Sequence, residues 1–311
     1  MKVYQPLVAV SILLTSLYSV AQDFPKTEAS GASDSAPAGN SLSQFQGTLT
    51  QDQIKALIQK VAENDIQNDK KQRDYTYSER EVETRLDGKG KTKSTETKTY
   101  DVLEIYGDQV QRLTAKDDKP LSEKEAAKEE ARIQKVIDKR KDESTEERRK
   151  REEKEAKDRE EGMQFVREID DAYNFTLLGT ESLAGREAWV IGAEPRSGFA
   201  AHMKYANMLP KFHGRVWIDK ADLQLAKMDV ECLDTVSWGL FLARFHKGSR
   251  LMLEQARVND EVWLPRHFTA KIDVRLALLK GINMEDEQSF SDYKKFRSDT
   301  KIVGMQEVQQ Q

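Results

Sequence analysis

VWLPRHFTAKIDVRLALL, residues 262–279, decides how this chain is read. Its even positions Val262, Leu264, Phe268, Ala270, Ile272, Val274, Leu276 and Leu278 are apolar apart from Arg266. The odd set holds His267, Thr269, Lys271, Asp273 and Arg275. A period of two marks a β-strand with one dry and one wet face, as in an antiparallel sheet solvated on one side. The preceding GLFLARFHKG, residues 239–248, differs: Leu240 and Leu242 fall on one face, Phe241, Ala243 and Phe245 on the other. Either something covers part of the outer face there, or a cavity is lined from within.

Working outward, FTLLGTES, REAWVIGAEP, HGRVWID, LQLAKMDVECLD, RLMLEQARV and EQSFSDYKKFR read as further strands. Turns at Leu183-Ala184-Gly185, Lys220-Ala221-Asp222 and Asn259-Asp260 separate several of them, and KYANMLPKF reads as a short helical or irregular piece. Nearer the N-terminus, DYTYSEREVETRLDGKGK turns at Asp87-Gly88 and returns through TKTYDVLEIYG, with another turn at Gly107-Asp108. Such a succession predicts an antiparallel meander, closed or partly closed. Ahead of it, Thr50 is placed to cap a helix in which Ile54, Leu57, Ile58 and Val61 recur on one face. That stripe needs a surface to cover.

Residues 118–172 interrupt the meander. STEERRKREEKEAKDREEG (144–162) contains nothing apolar larger than Ala156, and Asp138 to Glu161 holds ten basic and eleven acidic residues. A run so nearly neutral is no polyelectrolyte. Ser144 and Glu147 are spaced as a capping box, and Glu146–Lys150, Glu147–Arg151, Glu153–Lys157 and Glu155–Arg159 stand at helical i,i+4 spacing. No heptad of apolar positions supports a coiled coil. The expectation is a solvated charged helix that restarts at Ser144, carrying apolar residues only near Ile133 and again from Met163 to Ile169.

The first residues, MKVYQPLVAVSILLTSLYSVAQ, read as a secretory signal over 1–21, with one charge at Lys2, an apolar run from Leu7 to Tyr18 and a small-x-small site ending at Ala21. Residues 22–49, rich in Ser, Ala, Gly and Pro, read as a flexible linker, and 50–305 as one domain containing the 118–172 insert. Export to the periplasm as a soluble chain is the expectation, since no other run is apolar enough to span a bilayer. Loss of Lys2 with the signal takes the formal charge from −4 to −5, which argues against nucleic acid as a partner. Cys232 is the single cysteine, so no internal disulfide staples the fold.

GREAWVI (185–191), GRVWID (214–219) and DEVWLP (260–265) together resemble the periplasmic outer-membrane lipoprotein-sorting proteins, the lipoprotein-carrier superfamily. The resemblance covers 173–297 best and does not extend to the charged insert. It implies an α+β fold, an antiparallel curved sheet forming an open half-barrel with helices on its concave face, here with a long charged helical insertion. It implies, too, a periplasmic carrier of lipid or of the acyl chains of lipoproteins, moving them toward the outer membrane. The alternative is a non-enzymatic envelope sensor or protein-interaction module on the same scaffold, docking its partner through the charged helix.

Nothing in the chain calls for a reaction. His202, His213, His246 and His267 follow no metal-ligand spacing, there is no nucleophile elbow or phosphate loop, and neither a cofactor nor a metal site is expected. Trp217, Trp238, Phe241, Phe245, Trp263, Phe268, Ile272 and Val274 are the candidates to line a lipid cavity, where binding needs shape and dryness. Each of the aromatic residues is equally suited to an ordinary core.

Overall fold

A computed structural model describes residues 49–106, 108–203, 206–238, 243–276 and 282–296. The expected signal and most of the linker lie outside the described residues, as do Phe241 and the side chains of Trp238, Phe245 and Val274.

Helix α1 (Gln51–Gln72) starts at Thr50, whose hydroxyl accepts from the Gln53 N–H while the Gln53 side chain returns to the Thr50 N–H. This reciprocal box satisfies two donors that a helix start leaves free. There follow β1 (Tyr75–Leu86), β2 (Thr92–Ile105), β3 (Asp108–Lys116), the two-residue β4 (Lys119–Pro120), and the helices α2 (Glu123–Lys141) and α3 (Thr145–Ala172). After the helices come β5 (Tyr173–Leu183), β6 (Arg186–Pro195), a 3-10 turn (Ala206–Lys211), β7 (Phe212–Asp219), β8 (Leu225–Cys232), β9 (Val236–Trp238) and β10 (Ala243–Phe245). The chain closes with β11 (Arg250–Val258), β12 (Val262–Leu276) and β13 (Ile282–Lys295).

All strands join one antiparallel curved sheet in the order β4-β3-β2-β1-β13-β12-β11-β8-β7-β6-β5, with β10 alongside the far end of β12 and β9 paired to β10. The two ends of this path do not pair, so the sheet is open. The fold is α+β, as expected. The three-residue β11–β12 connection places Asn259 and Asp260 at φ 50° and 56°, the left-handed pair of a type I′ turn that the Glu261 N–H closes on the Val258 carbonyl at 3.2 Å.

The deciding strand does not alternate straight through. Glu254 pairs with His267 but its neighbour Gln255 pairs with Pro265, so Arg266 is an extra residue. Pro265 has no N–H to continue the ladder, which makes this a natural place for a bulge. The bulge turns the strand over. Phe268 and Ala270 pack with Leu225, Met228 and Leu253, whereas Val262 and Leu264 belong to a separate cluster with Tyr75, Val258 and Tyr293.

Register assigns the remaining faces, because directly paired residues share a side. Tyr173, Phe175, Trp189, Ile191, Val216, Ile218, Met228, Leu253 and Phe268 fall on the inner face, beneath α1 and the last turns of α3. Phe165 and Ala172 of α3 join Ile54 and Leu57 of α1 in the core there. On β6 and β7 the outer face carries charges and a small apolar patch of Ala188, Val190 and Trp217.

The charged insert forms two helices with a turn between them. Ser144 and Glu147 form the expected capping box. In the turn, Glu143 accepts from Arg140 at 3.2 Å and from Arg151 Nε at 3.1 Å, tying the end of one helix to the start of the next. The expected Glu146–Lys150 pair is present at 3.4 Å, and Arg149 adds contacts to Glu146 at 2.8 Å and Glu153 at 2.5 Å. Such exposed pairs contribute a few tenths of a kcal/mol each, about what a helix without a core needs. The root of the insert is anchored. Ile133 is fully buried, Glu129 accepts the Leu113 N–H at 2.8 Å, and Arg132 donates to the Gln111 carbonyl. α2 thus covers the free edge of β3.

Candidate functional site

The candidate site is the inner wall of β7, β8, β11, β12 and β13. One row of cross-strand neighbours runs Val216, Met228, Leu253, Phe268 and Gln288. Met228, Leu253, Phe268 and Gln288 are all buried, and Val61 of α1 packs against this cluster. The next row runs Gly214, Val230, Leu251, Ala270 and Asp286, with Val230 and Leu251 only partly buried. Beyond it, Ile272 pairs with Met284, and both are partly buried. The wall is therefore sealed near α1, and farther along Val230 and Ile272, though only partly buried, also pack against a second buried cluster of Met208, Phe212, Cys232 and Val236. Apolar surface left accessible in a contiguous row is what a binding wall requires.

At β13 the wall turns polar. Gln288 donates to Asp286 at 2.9 Å, and on β1 the buried Glu79 accepts from Gln111 at 2.9 Å. Burial pushes the Glu79 carboxyl up to about 7, with Glu81 and Asp286 adding to the rise and the Gln111 bond opposing it.

α1 is fixed over this wall by its polar tail. Asn68 exchanges two hydrogen bonds with the backbone of Trp263, 2.8 Å from the N–H and 2.7 Å to the carbonyl, and Gln72 also donates to that carbonyl at 2.8 Å. Here β12 and β13 have parted, so the helix side chains stand in for the missing strand. Asp65 lies one turn before Asn68. Burial, and the negative charge of Asp69 behind it, raise its carboxyl to about 7.

The structure distributes the sequence candidates. Phe268 and Ile272 lie on the inner wall, the first buried and the second partly open. Trp217 sits on the opposite face, under Arg215 and Lys227, with its indole N–H donating to Glu181 at 2.6 Å. Trp263 is buried at the rim, where its N–H donates to Asp222 at 2.9 Å. Trp238, Phe245 and Val274 are placed only by backbone, and Phe241 lies outside the described residues. Sequence reading passed over Val230, Leu251, Met284 and Asp65. The three valine, leucine and methionine positions alternate in phase with the wall and were legible by parity.

Elsewhere, a shallow groove of about 280 Å³ on the outer face is lined by Val82, Thr84, Arg250, Thr269, Lys271, Glu285 and Glu287. Its Lys271 and Glu285 pair at 3.3 Å. Among the described residues no three His, Cys, Asp or Glu side chains are grouped as metal ligands. Cys232 is buried, its thiol donating to the Asp234 carbonyl at 3.0 Å, and burial pushes its pKa up. Among the described residues no helix is long and apolar enough to cross a membrane.

An open antiparallel sheet with helices across one face has the form of a half-barrel. No protein-family model matches the chain, and no curated protein matches it. Among solved structures, it is similar to an outer membrane lipoprotein-sorting protein domain from Vibrio parahaemolyticus, at 13% identity and TM-score 0.31, covering 79% of this chain and 95% of that one. It is similar also to a DUF1329 family protein from Desulfovibrio piger, at 12% identity and TM-score 0.30 over 77% of this chain and 92% of that one. A LolA superfamily protein from Nitrosomonas europaea shares 9% identity at TM-score 0.26, over 72% of this chain and 86% of that one.

Proposed function

We propose that the protein is a non-catalytic periplasmic carrier that shelters a lipid, or the acyl chain of a lipoprotein, against the inner wall during transfer toward the outer membrane. The observation that supports this most is the partly buried apolar row of Val230, Leu251, Ile272 and Met284, which lies between two buried clusters. Burying an acyl chain there is favourable by about 0.8 kcal/mol per methylene, without any directional motif. Phe268 belongs to the buried row beside it, and Ile272 packs against the clusters on either side. The test is uptake of a neutral fluorescent alkyl probe by delipidated protein. Wild type should bind, and Leu251→Asp or Ile272→Asp should lose about tenfold or more in affinity. Failure of folded wild type to take up the probe removes the proposal.

A second reading has one observation in its favour: the exposed α2–α3 hairpin is held in shape by ion pairs about Glu143, as a docking arm would be. Reversing Arg148, Arg149 and Lys150 to Glu separates the two. A carrier keeps its probe affinity, whereas an interaction module loses an envelope partner that wild type retains on a column.

A further inference from the structure

The α2–α3 insert joins opposite ends of the sheet. It leaves from β4, at one end of the strand order, and Ala172 hands the chain directly to β5, at the other. Eleven strands lie on that path, so the two edges stand roughly 48 Å apart measured along the curve. Between Pro120 and Tyr173 the chain passes from one edge to the other, and α3, with 28 residues and a length of about 42 Å, is the longest element on the way.

Both ends of the insert are docked. At the β3 edge, Ile133 is fully buried, Glu129 accepts the Leu113 N–H at 2.8 Å, and Lys116 meets Glu125 at 2.7 Å. At the far end, Phe165 and Ala172 enter the core with Ile54 and Leu57 on the concave side. There Asp170 accepts from Gln59 at 2.6 Å, and Glu168 accepts the N–H groups of His202 and Met203 at 2.9 and 2.8 Å. Between these docks, Arg151 aside, every described side chain from Thr145 to Glu160 is exposed.

A connection that had only to reach the other edge could be an irregular loop. This one is capped at Ser122 and Ser144 and braced at its corner, where Glu143 holds Arg140 and Arg151 at 3.2 and 3.1 Å. Ion pairs along α3 add helix stability where no core supplies it. A helix so supported keeps its length, whereas a coil of the same residues would not.

We infer that the insert is a strut across the concave mouth: α3 holds the two free edges of the half-barrel at a set separation and so fixes the width of the opening onto the inner wall. An open sheet has no closing ladder to set that width. The exposed middle of α3 acts through its length, and its side chains need touch nothing. The inference goes beyond both functional readings and depends on neither.

The test places spin labels at Lys119→Cys in β4 and Thr180→Cys in β5 of the full-length chain, where the buried Cys232 stays unlabelled, and measures their separation by pulsed electron resonance, with circular dichroism to confirm the fold. Two variants alter only the middle of α3. Replacing residues 153–159 with a glycine-serine run of equal length keeps both docks and removes the stiffness between them. Deleting the same residues takes out about two turns, ~10 Å, and leaves the helix faces nearly in phase. The unaltered chain should give one narrow distance, and the glycine-serine variant a distribution about twice as broad or more. Deletion should shift the mean by up to ~10 Å. An unchanged distribution in the glycine-serine variant overturns the strut, whether or not the deletion variant folds. So does a deletion variant that folds and keeps the original distance.

Discussion

The guanidinium of Arg186 lies 5.4 Å from the centre of the Trp263 ring, and Asp222 accepts from both residues at 2.9 Å. Arg186 also grips Asp219 through two bonds of 2.7 and 2.8 Å, and Arg257 adds a further contact to Asp222 at 2.9 Å. The strands GREAWVI, GRVWID and DEVWLP, distant in the chain, meet in this polar knot beside the end of α1. Trp263→Phe keeps the ring and removes the indole donor. Its stability in urea should fall by about 1 kcal/mol. An unchanged midpoint would show that the knot does not depend on that bond.

Asn68→Ala removes both hydrogen bonds to the Trp263 backbone and leaves a buried N–H without its partner. The cost should be about 2–4 kcal/mol, at the upper end of single polar substitutions. Thermal unfolding measures it. A loss under about 0.5 kcal/mol, the range of an ordinary surface change, would mean that α1 is not clamped to β12 in this way.

Glu79 makes stability depend on pH. Its folded carboxyl titrates at about 7 against an ordinary 4.5, so the folded chain holds the proton more firmly than the unfolded chain. The associated stability is complete below the ordinary value and is lost as pH rises through about 7. Glu79→Gln preserves the contact with Gln111 and should remove that loss. At about pH 8 the variant should be more stable by on the order of 3 kcal/mol, and near pH 4 it should match wild type. Asp65, raised in the same sense, leaves a second slope in both proteins. Identical melting-temperature differences at the two pH values would contradict the assignment.

Glu129→Ala combined with Arg132→Ala should uncover the outer edge of β3, since those side chains occupy the Leu113 N–H and the Gln111 carbonyl. An unpaired edge is a template for another strand. Light scattering should show concentration-dependent association in the variant at concentrations where wild type remains monodisperse. A variant that scatters no more than wild type would show that the edge is protected by other means.

What could be read from the sequence was set by local signals. The caps at Thr50 and Ser144 rest on residues three apart, and the antiparallel meander follows from alternation and turns. Trp217 shows the limit of reading by size. In FHGRVWID it alternates in phase with His213, Arg215 and Asp219, so parity places it on the charged outer face even though its bulk suits a cavity. Pro265 was the visible sign of the bulge, but only pairing with β11 reveals that Arg266 is the extra residue. Glu129 and Arg132 look like any other charges in a charged helix until β3 is placed beside them.

The half-turn that β12 makes at Arg266 ties two distant parts of the molecule to a single residue's worth of backbone. Were Arg266 drawn into the ladder rather than left over, β12 would follow the even-position period throughout, Val262 and Leu264 would swing away from Tyr75, and the side chain of Trp263 would leave the reach of Asp222. A strand that obeyed the sequence's own period to its end would thus have its hairpin end inside out, and the irregular pairing is what lets one ribbon complete two cores at once.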